Sequence, residues 1–278
     1  MKIADYFMSM SDAVAKVITD WREAVNRELV VFGKSSAGDS KTLQAATTYV
    51  LEGHGKRLRA LLPIALSTDI RGEQEKANPG ALLPGLALEM LHAASLVHDD
   101  LPALDNDDIR RGRLSCHRQF NEATAILTGD FLVGRAFSVV SDSALPPNQR
   151  LRVLSLIAQA WSDLCLGQQV DIERPSDTAE VHRLMELKTG ALFGAAAACG
   201  AVCADCDDGV IDQFRAWGTR LGVLFQRLDD LADGDGTSAT AWNKEKEIHD
   251  LRSELRALHP RPLSYTEGVY RIVIGEQV

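Results

Sequence analysis

Apolar residues recur along this chain at the spacing of helices. Between 11 and 32, Val14, Val17, Ile18, Trp21, Val25 and Leu29 recur with a 3.6-residue period, on one side of a helix. Shorter helices are predicted over about 43–51 and 58–67. Residues 81–98 are apolar almost throughout, so that helix is expected to be buried on most sides. Pro102 cannot continue it and is expected to end it just after an Asp-Asp pair. Further helices are predicted over 122–141, 148–172, 179–198 and 208–233, parted by SALPPNQ and ERPSDT. GKSSAGDS at 33–40 and RGEQEKANPG at 71–80 read as polar connections. No series of alternating strands, no Gly-Lys phosphate loop and no long repeat interrupts this pattern. The fold class is therefore all-α, with one domain expected across residues 1–278.

Composition adds constraints. The formal net charge is −9, which argues against non-specific nucleic-acid binding. An anion site in such a protein needs metal ions or clustered basic residues to reverse the local sign. The first twenty residues carry acids early and no sustained apolar run, so no signal peptide is expected. No stretch reads as a membrane span by this pattern. Five scattered cysteines, an odd number, suit a reducing cytoplasmic setting. Cys199, Cys203 and Cys206 are close in sequence, but no histidine accompanies them, and they read as small buried hydrophobes.

The chemistry concentrates in two acidic clusters. The first is Asp99, Asp100, Asp105, Asp107 and Asp108; the second is Asp229, Asp230 and Asp233. HDDLPALD and LDDLAD both place Asp-Asp-Leu at the C-terminal end of an apolar helix. Asp229 and Asp233 share a helix face with Gln226, where like charges repel and the helix dipole disfavours anions. Such repulsion calls for a compensating cation. All-oxygen ligands select a hard ion, and magnesium fits best when a substrate phosphate completes its octahedron. A calcium EF-hand lacks its glycine and terminal glutamate here. A His98-Asp99 phosphohydrolase site would require more histidine ligands than the sequence gathers.

Basic residues flank the acids. Arg110, Arg111 and Arg113 follow the first cluster directly. Lys56, Arg57 and Arg59 begin a predicted helix behind Gly53 and Gly55, where backbone can approach an anion closely. Lys188 and Thr189 precede Gly190, which is expected to kink its helix and expose that pair. Together these imply two phosphate-bearing groups, one held by metals and one by basic side chains.

With these motifs in order, the chain resembles the trans-prenyltransferases, the polyprenyl diphosphate synthase family, over roughly residues 45–235. The landmarks are HGKRLR at 54–59, DDLPALDNDDIRRGR at 99–113, LTGD at 127–130, GQQVDI at 167–172, KTGALF at 188–193 and FQRLDDLAD at 225–233. The resemblance implies an isoprenoid-synthase-like bundle around a central cavity, usually a homodimer. It implies magnesium ions bridging Asp99, Asp105 and Asp229 to an allylic diphosphate, with Asp100, Asp230 and Asp233 in support. It gives Arg110, Lys188 and Thr189 to the departing pyrophosphate and Gln226 to the allylic end. It gives Lys56, Arg59, His92 and Arg111 to isopentenyl diphosphate, with Arg57 in the same basic motif.

The resemblance also bears on product length. Ala94 and Ser95 precede Asp99 by about 6–7.5 Å of helix. Family members that stop at fifteen carbons carry a large aromatic floor there. The small residues here, with Leu91 and Met90 deeper, imply a twenty-carbon product, geranylgeranyl diphosphate. A farnesyl or longer-chain synthase and a non-catalytic subunit of a heteromeric synthase are the alternatives. Two departures are mild: His54 replaces a glycine and Ala60 a proline. The larger one follows Asp233, where the family's Gly-Lys-x-x-Gly-x-Asp segment gives way to GDGTSATAWNKEKE, leaving Lys244 and Lys246 as candidate replacements.

Overall fold

Those periodic segments fold as helices in the computed structural model. It describes residues 12–275 apart from 36–37, 39, 54, 73–78, 176 and 234–241. The order is α1 (Asp12–Ser35), α2 (Lys41–Leu51), α3 (Leu58–Arg71), α4 (Pro79–Asp99), β1 (Ile109–Arg110), β2 (Arg113–Leu114) and α5 (Cys116–Gln119). Then follow α6 (Glu122–Ser141), α7 (Pro147–Glu173), α8 (Thr178–Met185), a π-helical turn (Glu186–Gly190) and α9 (Ala191–Cys203). α10 (Asp208–Asp233), α11 (Lys244–Ala257) and α12 (Ser264–Ile274) complete the chain. The sequence expectations placed α6 and α10 at their observed bounds. The single helix expected over 179–198 is instead α8, the π turn and α9.

α4 and α9 run through the core. α4 buries Leu86, Ala87, Leu88, Leu91 and Ala94 completely, and α9 is buried from Leu192 to Cys203. α9 is built largely of alanine and glycine, so its neighbours approach closely. A β-carbon at Gly218 of α10 would lie 2.6 Å from the Phe193 carbonyl and 2.8 Å from Ala197 Cβ. This seam fixes how α10, which carries the second acidic cluster, lies against the π turn.

By length and composition α4 and α6 are apolar enough to cross a bilayer, contrary to the reading of the sequence. The reason differs between them. α4 is apolar because it is packed on all sides, whereas α6 keeps Ile126 and Leu127 at the surface. The C-terminal helices, not anticipated from sequence, are tied to the bundle. Asp69 of α3 accepts hydrogen bonds from the backbone N–H of Tyr265 and Thr266 and from the Thr266 hydroxyl, capping α12. Trp217 Nε1 of α10 donates to the Leu251 carbonyl of α11. Cys199 and Cys203 lie in the core and Cys206 is half-buried; burial pushes the Cys203 thiol up to about 12.

Candidate active site

α4 delivers the first acidic motif. Its last turn ends at Asp99, and the loop folds back so that Asp105 N–H donates to the Asp99 carbonyl at 2.8 Å. Asn106 and Asp107 N–H groups cap the Leu101 and Asp100 carbonyls. The chain can close this turn because Asn106 accepts a left-handed backbone, φ 56°. Asp105 is thereby brought beside Asp99 and receives Gln168 Nε2 of α7 at 3.2 Å. The five aspartates then separate by role. Asp100 is buried and bonded by the Arg110 guanidinium, which also reaches Asp107 at 2.9 Å. Asp108 pairs with Arg118 at 3.1 Å.

The basic residues arrive from two directions. β1 and β2 form a small hairpin whose tip, Arg111 and Gly112, has φ of 53° and 76°. This turn points Arg111 at His92 of α4, with Nη2 3.4 Å from Nε2. The hairpin is held by Tyr49, whose hydroxyl donates to the Leu114 carbonyl and whose ring lies 4.0 Å from the Arg113 guanidinium carbon. Gly55 gives the tip room, since a β-carbon there would come within 3.1 Å of Arg111. From the other side, Arg59 of α3 lies over the Phe193 ring at 4.8 Å, and Lys56 over Phe225 at 5.6 Å. Arg57 turns elsewhere. Its guanidinium is taken up by Asn26, the Leu51 and Gly53 carbonyls and Glu89, so it holds the loop in shape.

The second motif comes from α10. Thr189 of the π turn donates to Gln226, and Gln226 Nε2 donates to Asp230, both at 2.8 Å. Lys188 forms a short ion pair with Asp171 of α7. The extra residue of the π turn, at the glycine expected to kink the helix, aims Lys188 and Thr189 inward. The side chain of Asp233 lies outside the described residues, as do His54 and segment 234–241. Lys244 is exposed, and Lys246 pairs with Asp250 on the outer face of α11, so neither stands at the site. α11 is anchored to α10 by Arg227 and Glu247 at 2.8 Å.

These pieces surround one cavity of about 540 Å³. Asp99, Lys188, Thr189, Gln226 and Asp229 form one part of its wall; Lys56, Arg59, His92 and Arg111 form another. Its apolar lining comes from Leu58, Leu96, Leu164, Leu192 and Phe225. Ser95 faces the cavity, but Ala94 and Leu91 do not: both are wholly buried in the core behind it. Leu164, Leu192, Gln168, Asp171 and Glu89 are site residues that the sequence reading missed. Gln168 and Asp171 lie in GQQVDI at 167–172, whose residue types alone point to no charge or metal role. His98 points away, with Nε2 3.2 Å from the Ile126 carbonyl, so the adjacent His-Asp pair does not share a metal site.

Burial governs the electrostatics. It pushes the Asp99 carboxyl up to about 7, with Asp105 and Asp100 adding to the rise and Lys188 and Arg110 opposing it. It pulls Arg59 down to about 10 and lowers Arg111. His92 is held well below its usual range by burial and by Arg59 and Arg111, so its imidazole is neutral. With Nε2 facing the Arg111 guanidinium, that nitrogen accepts and Nδ1 carries the proton. One part of the cavity therefore needs a cation, and the other needs an anion. Arg59 Nε and Gln168 Oε1 are buried without hydrogen-bond partners, one a donor on the basic wall and one an acceptor beside the first motif. The donors at the acidic wall are oxygens, which suits a hard divalent ion. Among the described residues no three acidic, histidine or cysteine side chains converge on one point, so such an ion needs further oxygen ligands from a bound molecule.

A cavity with a cation-seeking wall, an anion-seeking wall and an apolar floor defines a class of enzyme that handles diphosphates of apolar chains. The comparisons agree. A family model described as polyprenyl synthetase matches residues 40–257. Farnesyl diphosphate synthase of Geobacillus stearothermophilus is 33% identical over 261 residues, covering 91% of this chain and 85% of that protein. Geranylgeranyl diphosphate synthase of Rhodobacter capsulatus is 38% identical over 195 residues, covering 69% and 64%. The crystal structure of an FPP/GFPP synthase from Zymomonas mobilis superposes with a TM-score of 0.83 at 29% identity, covering 95% of this chain and 99% of that one. The chain belongs to the polyprenyl synthetase family and is a prenyltransferase with the all-α isoprenoid synthase fold.

Proposed function

We propose that this prenyltransferase joins isopentenyl diphosphate head-to-tail to an allylic diphosphate and releases geranylgeranyl diphosphate. The observation that carries the reading is the division of one cavity into an acidic wall, Asp99 with Asp229, and a basic wall of Lys56, Arg59, His92 and Arg111. Two diphosphates of different partners fit that division.

Magnesium ions held by Asp99, Asp105 and Asp229, with Asp230 in support, would neutralise the leaving diphosphate when bound. Lys188, fixed by Asp171, adds a positive charge at the same wall. Arg110 also lines the cavity; it holds Asp100, closes the turn and adds positive charge toward the departing diphosphate. Lys56, Arg59, Arg111 and neutral His92 receive the diphosphate of isopentenyl diphosphate and orient its double bond. The allylic carbon–oxygen bond breaks with its electron pair on the departing diphosphate, and the double bond attacks the resulting cation. A proton then leaves the condensed product for the released diphosphate. The apolar lining excludes water from the cation.

Ser95 supports the twenty-carbon product because it places no bulk on the cavity wall. A farnesyl product is the second reading, favoured by the farnesyl diphosphate synthase that aligns with 91% of this chain. Incubation with magnesium, isopentenyl diphosphate and allylic diphosphates of five, ten or fifteen carbons decides. Accumulation of the twenty-carbon diphosphate is expected from all three. A product that stops at fifteen carbons overturns the length, and no condensation overturns the function. We also propose a cytoplasmic homodimer paired through the apolar outer surfaces of α6 and α7.

A further inference from the structure

Glu89 is the one acidic residue of α4 before Asp99, and it is 3% exposed. A carboxylate placed this deep needs partners, and it has three. Oε1 accepts the backbone N–H groups of Arg59 and Ala60 at 3.1 and 3.2 Å. Oε2 lies 3.5 Å from Arg57 Nη1. Those two N–H groups open α3, where the residue before the helix, Arg57, supplies no side-chain cap. The cap comes from another helix instead. It joins a strained point, since Arg57 itself has φ 55°. Three residues on from Glu89, on the same face of α4, stands His92. Glu89 also lines both the main cavity and a small pocket of about 90 Å³ behind the Arg57–Arg111 wall.

We propose that Glu89 is a positioning residue for the subsite that receives isopentenyl diphosphate. This rests on the reading of Lys56, Arg59, His92 and Arg111 as that subsite. By capping α3 from α4 and pairing with Arg57, Glu89 fixes the distance between the two helices that carry Arg59 and His92. It also holds the left-handed turn between Lys56 and Arg59, so that both cations face the cavity. A charge set this way costs no rearrangement when the anion arrives.

Steady-state kinetics of Glu89→Ala, Glu89→Gln and Arg59→Met, with each substrate varied in turn, tests this. Glu89→Ala is expected to raise KM for isopentenyl diphosphate about 10- to 100-fold and to leave KM for the allylic substrate within about twofold. Glu89→Gln keeps an oxygen to accept the Arg59 and Ala60 N–H groups and gives up the charge facing Arg57. It is expected to recover a large part of the loss, and it carries the test if the alanine variant fails to fold. A merely structural role would lower kcat through a smaller active fraction and leave both KM values alone; that result overturns the proposal. Equal rises in both KM values overturn it as well. If Arg59→Met leaves KM for isopentenyl diphosphate unchanged, the subsite reading itself fails. If Arg59→Met raises it and neither Glu89 variant does, only the role of Glu89 fails.

Discussion

Asp99 has lost most of its water to the cavity walls, and burial lifts its carboxyl to about 7. A raised folded-state value means that the folded protein holds this proton more tightly than the unfolded chain. Without a divalent ion, the stability this group contributes is fully present below about pH 4 and is lost as pH rises through 7. Asp99→Asn removes that penalty. In chelator at pH 8 it is expected to stabilise the protein by about 1–3 kcal/mol, roughly 3–9 °C in Tm, with no gain near pH 4. Its kcat should fall by about 10²- to 10⁴-fold. A melting temperature at pH 8 unchanged from the parent protein would refute the burial argument. Ser95 and Ala94 make a second contrast. Ser95→Phe puts an aromatic ring on the cavity wall and should shorten the product, read by chromatography of the dephosphorylated chains. Ala94→Tyr instead overfills a closed part of the core and should lower Tm by several degrees. Position along α4 was legible in the sequence; which of two adjacent residues faces the cavity was not, because an apolar helix buried all round shows no amphipathic stripe. Glu89 did leave a signal there, as a lone carboxylate within a long apolar run.

At the scale of elements, small residues set the spacing of the site. α10 approaches α9 so closely that Gly218 has no room for a β-carbon: the obstacles are the Phe193 backbone carbonyl and Ala197, neither of which can swing aside. Gly218→Ala is expected to cost about 1–3 kcal/mol by overpacking. It should also shift α10 along or away from the π turn and loosen the Thr189–Gln226–Asp230 chain, so KM for the allylic substrate rises while the secondary structure persists. Circular dichroism with KM measured for each substrate separates this from general unfolding; a variant with parent-like Tm would sink the argument. The long helices could be read from the sequence because burial on one side leaves a 3.6-residue period. The hairpin of Ile109–Arg110 and Arg113–Leu114 could not, since two-residue strands are too short to show alternation. Its arginines were visible as a run, but their separation into Arg110 on Asp100 and Arg111 beside His92 depends on a left-handed turn that no residue-type rule requires of an arginine. α11 and α12 escaped for another reason: their contacts, Trp217 to Leu251 and Asp69 to Thr266, join positions far apart in sequence.

For the whole molecule, the question is what covers the outer surface of α6 and α7. Exposed large apolar residues occur singly elsewhere, such as Val31 and Leu231, but these two helices expose Leu127 at 59%, Leu151 at 68% and Leu166 at 50% of full accessibility. Scattered apolar residues on a surface carry little information, but several on two long neighbouring helices are a hydrophobic face. α6 also has the length and apolarity of a membrane helix, so a bilayer and a second copy are competing covers. α6 begins with Glu122 and carries Asp130 and Arg135 within its length, and the chain bears a net charge of −9, which favours a protein partner over an anionic lipid surface. A second copy would also brace α4, against which α6 packs, and through it the turn bearing Asp99 and Asp105. Leu127→Glu places a charge on that face, in the second turn of α6. In sedimentation velocity it is expected to convert a species of twice the chain mass into one of the chain mass, with unchanged helicity. Activity per chain should fall severalfold, because the acidic turn loses its support. If the parent protein already sediments at the chain mass and floats with liposomes in a Leu127-dependent way, the face belongs to a membrane. If Leu127→Glu stays at twice the chain mass, the pairing surface lies elsewhere.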